Sequence, residues 1–162
     1  MSCSDDLKGK QILIVDDEPD ILDTLEDLLG GCMTVKAENY EDALQQIESK
    51  PFDIAILDIM GVDGYELLKH CVDKGITAVM LTARAQRSTD VARSFKEGAA
   101  YFIPKEEMAR IEAFLLDILE AQQKGHSTWA GWYDRLAAFG QKTFGPDFKN
   151  EDEDFLDKLI KY

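Results

Sequence analysis

Phe52–Gly64, FDIAILDIMGVDG, is the stretch whose reading decides the fold. Its first part, Phe52-Asp53-Ile54-Ala55-Ile56-Leu57, is short and mostly apolar, as a strand buried on both faces of a parallel sheet would be. It ends abruptly in a carboxylate, Asp58, with a glycine-containing loop behind it. In open α/β sheets, chemistry collects in the crevice beyond the carboxyl ends of the strands. Asp58 is therefore a candidate reactive group.

On the N-terminal side, Gln11–Asp17 (QILIVDD) is a second buried-strand run that also ends in acids. Pro19 suits the first turn of a helix. Ile21, Leu22, Leu25, Leu28 and Leu29 recur at helical spacing until Gly30-Gly31 stops the pattern. Met33–Ala37 is a short strand, and Asn39 caps a helix carrying Ala43, Leu44 and Ile47. On the C-terminal side, a helix after Gly64 places Tyr65, Leu68 and Val72 on one face and stops at Gly75. Ile76–Leu81 is a fourth apolar run, finishing at Thr82. Ser88 or Thr89 caps a helix whose core face is little more than Val91 and Phe95. Such sparse burial marks a low-stability element, of the kind recruited for switching. Ala99–Ile103 is a fifth strand leading through Pro104 into Lys105. A long helix then runs to about Lys124 with Met108, Ile111, Leu115, Ile118 and Leu119 on its buried face.

Five strands alternating with helices, spaced roughly 20–24 residues apart, predict an α/β doubly wound domain. Residues 125–162 differ: Trp129, Trp132, Tyr133 and Leu136 fall at i, i+3, i+4, i+7, a helix capped by Ser127 or Thr128. Gly145-Pro146 breaks it, and Asn150 with Glu153 resembles a capping box for a last helix with Phe155, Leu156, Leu159 and Ile160. The chain thus divides into a domain over 9–124 and a helical extension over 125–162. The extension reads as a layer laid on the long helix, received by Phe114 and Leu116, or as a homodimer contact or docking surface. Under 40 residues, acidic and without a helix-turn-helix pattern, it is a poor DNA-binding domain.

Composition sets the boundaries. Of 162 residues, 45% are hydrophobic and 31% charged, an ordinary globular balance. The net charge of −14 repels phosphate backbones and argues against direct nucleic-acid binding. No apolar run approaches the ~18 residues of a membrane span, and MSCSDDLKGK lacks the apolar core of a signal peptide. A cytoplasmic protein with no membrane segment is expected. Cys3, Cys32 and Cys71 lack metal or disulfide spacing, and His70 and His126 read as isolated exposed histidines.

Four features land on strand ends facing one crevice: Asp16-Asp17, Asp58, Thr82 and Lys105. Crowded carboxylates repel one another until protonation or a cation relieves them. Hard oxygen ligands with room for water suit Mg²⁺. A hydroxyl at Thr82 and an ammonium at Lys105 complete a pocket for a small, multiply charged oxyanion such as a phosphoryl group. A carboxylate nucleophile would then form an aspartyl phosphate.

Together IVDDEPDI, LDIM with GVDGYELL, MLTAR and GAAYFIPK resemble the response-regulator receiver domain, the CheY-like family, over roughly residues 9–124. The resemblance implies a flavodoxin-like five-stranded parallel sheet in the order 2-1-3-4-5. It implies a phosphoacceptor that takes a phosphoryl group on Asp58 from a sensor histidine kinase or phosphotransfer protein, then signals to an output protein by conformational change. By the same analogy Asp17, Asp58 and the Met60 backbone carbonyl hold Mg²⁺, with Asp16 helping through water. Thr82 and Lys105 hold the phosphoryl group, and Phe102 with Thr82 forms the switch. Arg84 stands where it could shield that group.

The sequence departs from the family pattern in three places. The loop from Asp58 to Asp63 is shorter by about two residues and lacks its usual proline, Pro104 precedes Lys105 instead of following it, and the switch position is Phe102 instead of tyrosine. One rival is a pseudo-receiver, a protein-binding module that is not phosphorylated. A second is a haloacid-dehalogenase-like phosphatase, against which Met60 stands where that enzyme class has a second acid.

Overall fold

The computed structural model describes residues 5–83 and 88–129. Its strands are β1 (Gln11–Val15), β2 (Met33–Ala37), β3 (Ile54–Asp58), β4 (Thr77–Thr82) and β5 (Tyr101–Pro104). They form one parallel sheet in the order β2-β1-β3-β4-β5, the doubly wound arrangement expected. β3 is buried at all five positions and β1 at four, which is why both read as near-continuous apolar runs. β2, at the sheet edge, buries only Ala37 and leaves Met33 59% exposed.

The helices are α1 (Pro19–Leu28), α2 (Tyr40–Ser49), α3 (Gly64–Lys74), α4 (Ser88–Lys96) and α5 (Ile111–Lys124). α1 lies beside α5, and α2 beside α3. α4 joins the α2–α3 side through the Tyr65 ring, over which the Arg93 guanidinium sits at 3.8 Å. Helices on both faces cover the central strands, and the core they enclose reaches back to Leu7, ahead of β1.

Local chemistry explains most element boundaries. Pro19 opens α1, and the Asn39 side chain accepts the Asp42 amide at 2.8 Å to cap α2. Three expectations need correction. In α3 the interior is taken by Tyr65, Leu67, Leu68 and Cys71, while Val72 is 45% exposed; Cys71, one turn after Leu68, occupies the place assigned to it. The long fifth helix is also divided. Lys105–Arg110 forms a 3₁₀ turn, entered from extended Pro104 with no side-chain cap, and α5 proper begins at Ile111. His70 is half-buried, with its Nε2 3.4 Å from the Tyr40 hydroxyl.

Register, more than any single residue, builds the site. Val15 pairs with Leu57, so the next residues, Asp16 and Asp58, emerge side by side. Asp58 pairs with Leu81, one step before Thr82, and Thr82 pairs with Pro104, one step before Lys105. Four strands thus deliver their chemistry to one edge.

Candidate functional site

At that edge Asp16, Asp58 and Thr82 are buried, with 0%, 4% and 4% exposure. The Lys105 ammonium enters between the acids, 2.7 Å from Asp16 Oδ2 and 3.8 Å from Asp58 Oδ2. Asp17 and Glu18 stand at the exposed rim. The Glu18 amide donates to Asp16 Oδ1 at 2.9 Å, and its carboxylate lies 3.4 Å from Lys105 Nζ. A cavity of about 310 Å³ opens among these groups, lined by Asp17, Glu18, Asp58, Met60, Gly61, Thr82, Ala83 and Lys105.

The shortened loop closes over this cavity by turning on two left-handed residues, Gly61 (φ +85°) and Asp63 (φ 56°). A Cβ on Gly61 would stand 2.4 Å from Asp17 Oδ2, so the glycine lets the loop lie directly on that carboxylate. Gly64 is pressed closer still, since a Cβ there would meet the Asp58 carbonyl oxygen at 2.1 Å. The start of α3 is in this way seated against the base of the candidate nucleophile.

Electrostatics follow from packing four carboxylates around one ammonium. Burial pushes the Asp58 carboxyl up to about 7; the charge of Asp16 adds to this, Lys105 opposes it, and Asp17 and Glu18 add again. Asp16 is also raised by burial, against the pull of its bond to Lys105. Burial disfavours the Lys105 ammonium, yet its bond to Asp16 and the charges of Asp58, Asp16 and Glu18 leave it above the ordinary lysine value. One cation does not neutralise this cluster.

A divalent cation fits what remains. Carboxylate oxygens of Asp16, Asp17 and Glu18 lie within 4.8 Å of one another, and the donors are all hard oxygen. Asp58 and Met60 line the adjoining cavity. Glu18 is the functional candidate that sequence reasoning missed; its signal was the third acid in the run Asp16-Asp17-Glu18. Gly61 was missed as well, because its part depends on contact with Asp17 and not on its own chemistry. Phe102 is buried on β5, opposite Met80 of β4. Arg84, named from the sequence as a shield, lies outside the described residues, as does the extension from residue 130 onward.

An open parallel sheet with acids, a hydroxyl and a lysine gathered at its carboxyl edge has the architecture of a CheY-like signalling domain. Comparison with known proteins agrees. A model of the response regulator receiver domain matches residues 12–115. The response regulator GtcR of Aneurinibacillus migulanus is 33% identical over 140 residues, covering 79% of this chain and 58% of that protein. The phosphate regulon transcriptional regulatory protein PhoB of Escherichia coli is 34% identical over 120 residues, 66% of this chain and 52% of PhoB. Among solved structures, a CheY-like receiver domain protein from Methanospirillum hungatei JF-1 superposes with a TM-score of 0.62 at 30% identity, over 72% of this chain and 99% of that one. The chain belongs to the response regulator receiver domain family, and it spans little more than half the length of these curated relatives.

The raised Asp58 carboxyl carries a consequence for stability. Below the ordinary value of 3.8 it is protonated whether the chain is folded or not, and the folded state keeps the full benefit of a neutral buried group. That benefit is lost as pH rises through about 7, where the buried group must ionise. In divalent-free buffer, Asp58→Asn should therefore be more stable than wild type at pH 8 by about 1–3 kcal/mol, with the gap closing toward pH 4. Thermal melts of both proteins across this window check it. Gly61→Ala should drive Asp17 out of place and weaken Mg²⁺ binding by about tenfold, measurable by calorimetry.

Proposed function

We propose that the chain is the phosphoacceptor of a two-component phosphorelay and that Asp58 receives the phosphoryl group. The observation that carries this is the position of Lys105 Nζ, 2.7 Å from Asp16 and 3.8 Å from Asp58 at the mouth of a polar cavity bordered by Thr82. An Asp58 carboxylate oxygen attacks phosphorus, the P–N bond of a phosphohistidine breaks, and the imidazole nitrogen keeps the bonding pair and takes up a proton. The same carboxylate can attack a small acyl phosphate, releasing the carboxylate of the donor. Lys105 leaves Asp16 for the new phosphoryl oxygens, and the Thr82 hydroxyl donates a hydrogen bond to them. Phe102, together with Thr82, is the switch pair on β5 and β4.

Asp16, Asp17, Asp58 and the Met60 backbone carbonyl are the residues that would hold Mg²⁺, with Glu18 a further acid within reach. When bound, the ion neutralises charge on the transferring oxygens. Chain residues do the remainder: Asp16 holds Lys105 in readiness, and Gly61 lets Asp17 sit beneath the loop.

As a class, receiver domains meet histidine kinases or phosphotransfer proteins, and the phosphodonor here is one of these. The phosphoryl group adds about −1.5 to −2 charges and shifts a conformational equilibrium. PhoB is by name a transcriptional regulator. For this chain a net charge of −14 supports output through protein contacts instead of direct nucleic-acid contact. Among the described residues no helix is long and apolar enough to cross a membrane. We assign the chain to signalling in the cytoplasm, with self-phosphorylation and dephosphorylation as its own chemistry.

Intact-mass measurement after acetyl phosphate and Mg²⁺ tests the assignment. Wild type should gain one phosphoryl group, and Asp58→Asn or a chelator should abolish the gain. No gain in wild type would favour the non-phosphorylated binding module instead.

A further inference from the structure

A line of contacts runs from the base of Asp58 to the chain beyond α5, and the phosphoacceptor role does not require it. It begins at Gly64, pressed against the Asp58 carbonyl oxygen. The next residue, Tyr65, is buried and reaches across to α4. Its hydroxyl lies 3.3 Å from the Asp90 carbonyl oxygen and 3.4 Å from Asp90 Oδ1, and the Arg93 guanidinium covers its ring at 3.8 Å. Among the described side chains of α4, Val91 and Ser94 are fully buried, and Ala92 and Phe95 are partly buried against the core.

The other side of α4 is covered by the chain itself. After Gly125 ends α5 in a left-handed turn, the backbone folds back, and the Trp129 indole settles on the α4–β5 junction with 3% exposure. Its ring meets Phe95 edge-to-face at a centroid distance of 5.6 Å. Its Nε1–H donates to the Ala99 carbonyl at 2.7 Å, and the Thr128 hydroxyl donates to the Ala100 carbonyl. The junction is bound to both neighbours, since the Ala99 amide donates to Ser94 of α4 and the Ala100 amide to Ala78 of β4. An aromatic wall beside two outward carbonyls makes a seat for an indole, and Thr128–Trp129 occupy it. The expectation that Phe114 and Leu116 receive the extension concerns mainly residues beyond 129, which lie outside the described residues. Phe114 is fully buried beneath α5, against Tyr101 at 5.5 Å.

We propose that the α4–β5 junction is a conditional docking seat for the chain's own extension, occupied through Trp129 at rest and vacated when Asp58 is phosphorylated. The proposal rests on the phosphoacceptor reading. α4 is gripped between Tyr65, whose backbone neighbour abuts Asp58, and Trp129, which anchors the extension. A shift of the Asp58 loop moves Tyr65, draws Asp90 and Arg93 with it, and carries Phe95 away from the indole. The output is then an uncovered seat and a freed aromatic segment, delivered together.

Trp132→Phe leaves Trp129 as the single tryptophan of the full chain. Emission and acrylamide quenching are read before and after acetyl phosphate with Mg²⁺, with intact mass measured on the same samples. The phosphorylated protein should emit at longer wavelength and quench more readily, in proportion to the phosphoryl group gained, and the Asp58→Asn form should do neither. Tyr65→Phe, which keeps the ring and drops the hydroxyl, should gain the phosphoryl group as fully yet show a smaller shift. A complete mass gain with unmoved emission would overturn the conditional seat and leave the phosphoacceptor role intact. Absence of any mass gain would overturn both, and an equal shift in Asp58→Asn would reduce the effect to the donor itself. A full shift in Tyr65→Phe would remove the tyrosine from the path.

Discussion

The carboxylates of Asp16 and Asp58 emerge from neighbouring parallel strands at the same level, because Val15 and Leu57 are register partners. Both are almost wholly out of water, and like charges so placed cannot remain ionised without compensation. Lys105 supplies one positive charge and leans toward Asp16. Burial and the charge deficit left over push the Asp58 carboxyl up to about 7. The metal site and the reactivity proposed for this pocket both rest on that shortage of positive charge at a buried sheet edge.

Register also explains how much was legible beforehand. Buried parallel strands write themselves as apolar runs, and their ends are where side chains turn polar, so Asp16, Asp58, Thr82 and Lys105 could be placed before any coordinates. The strand order came from family resemblance, since alternation of elements leaves several orders open. Other features depend on contacts between segments distant in sequence and leave no local trace. Val72 was misplaced because a helix face is known only when its neighbour is, and Cys71 turned out to be the inward residue. The 3₁₀ turn at Lys105–Arg110 was hidden because its apolar spacing suits a continuous helix. Trp129 was recognised as amphipathic, but its seat on Phe95 and Ala99 lies across a chain reversal.

Two departures from the family pattern find physical counterparts. The loop after Asp58 is short, and it succeeds by spending two left-handed residues and packing glycine against Asp17. Pro104 stands before Lys105 and pairs with Thr82 in the last rung of the sheet, so the lysine leaves the strand at once and meets Asp16 first. Beyond the edge, α4 is contacted by Tyr65 through Asp90 and Arg93 and by Trp129 through Phe95, which suits an element that reports on its surroundings.

The most direct test of the central claim is to locate the modified residue chemically. An acyl phosphate on aspartate is reduced by borohydride to homoserine, and peptide mapping by mass spectrometry then reads the position. After treatment with a phosphodonor and Mg²⁺, homoserine should appear at position 58 and nowhere else. Homoserine at position 16 or 17, or none at all in protein that has gained a phosphoryl group, would contradict the account.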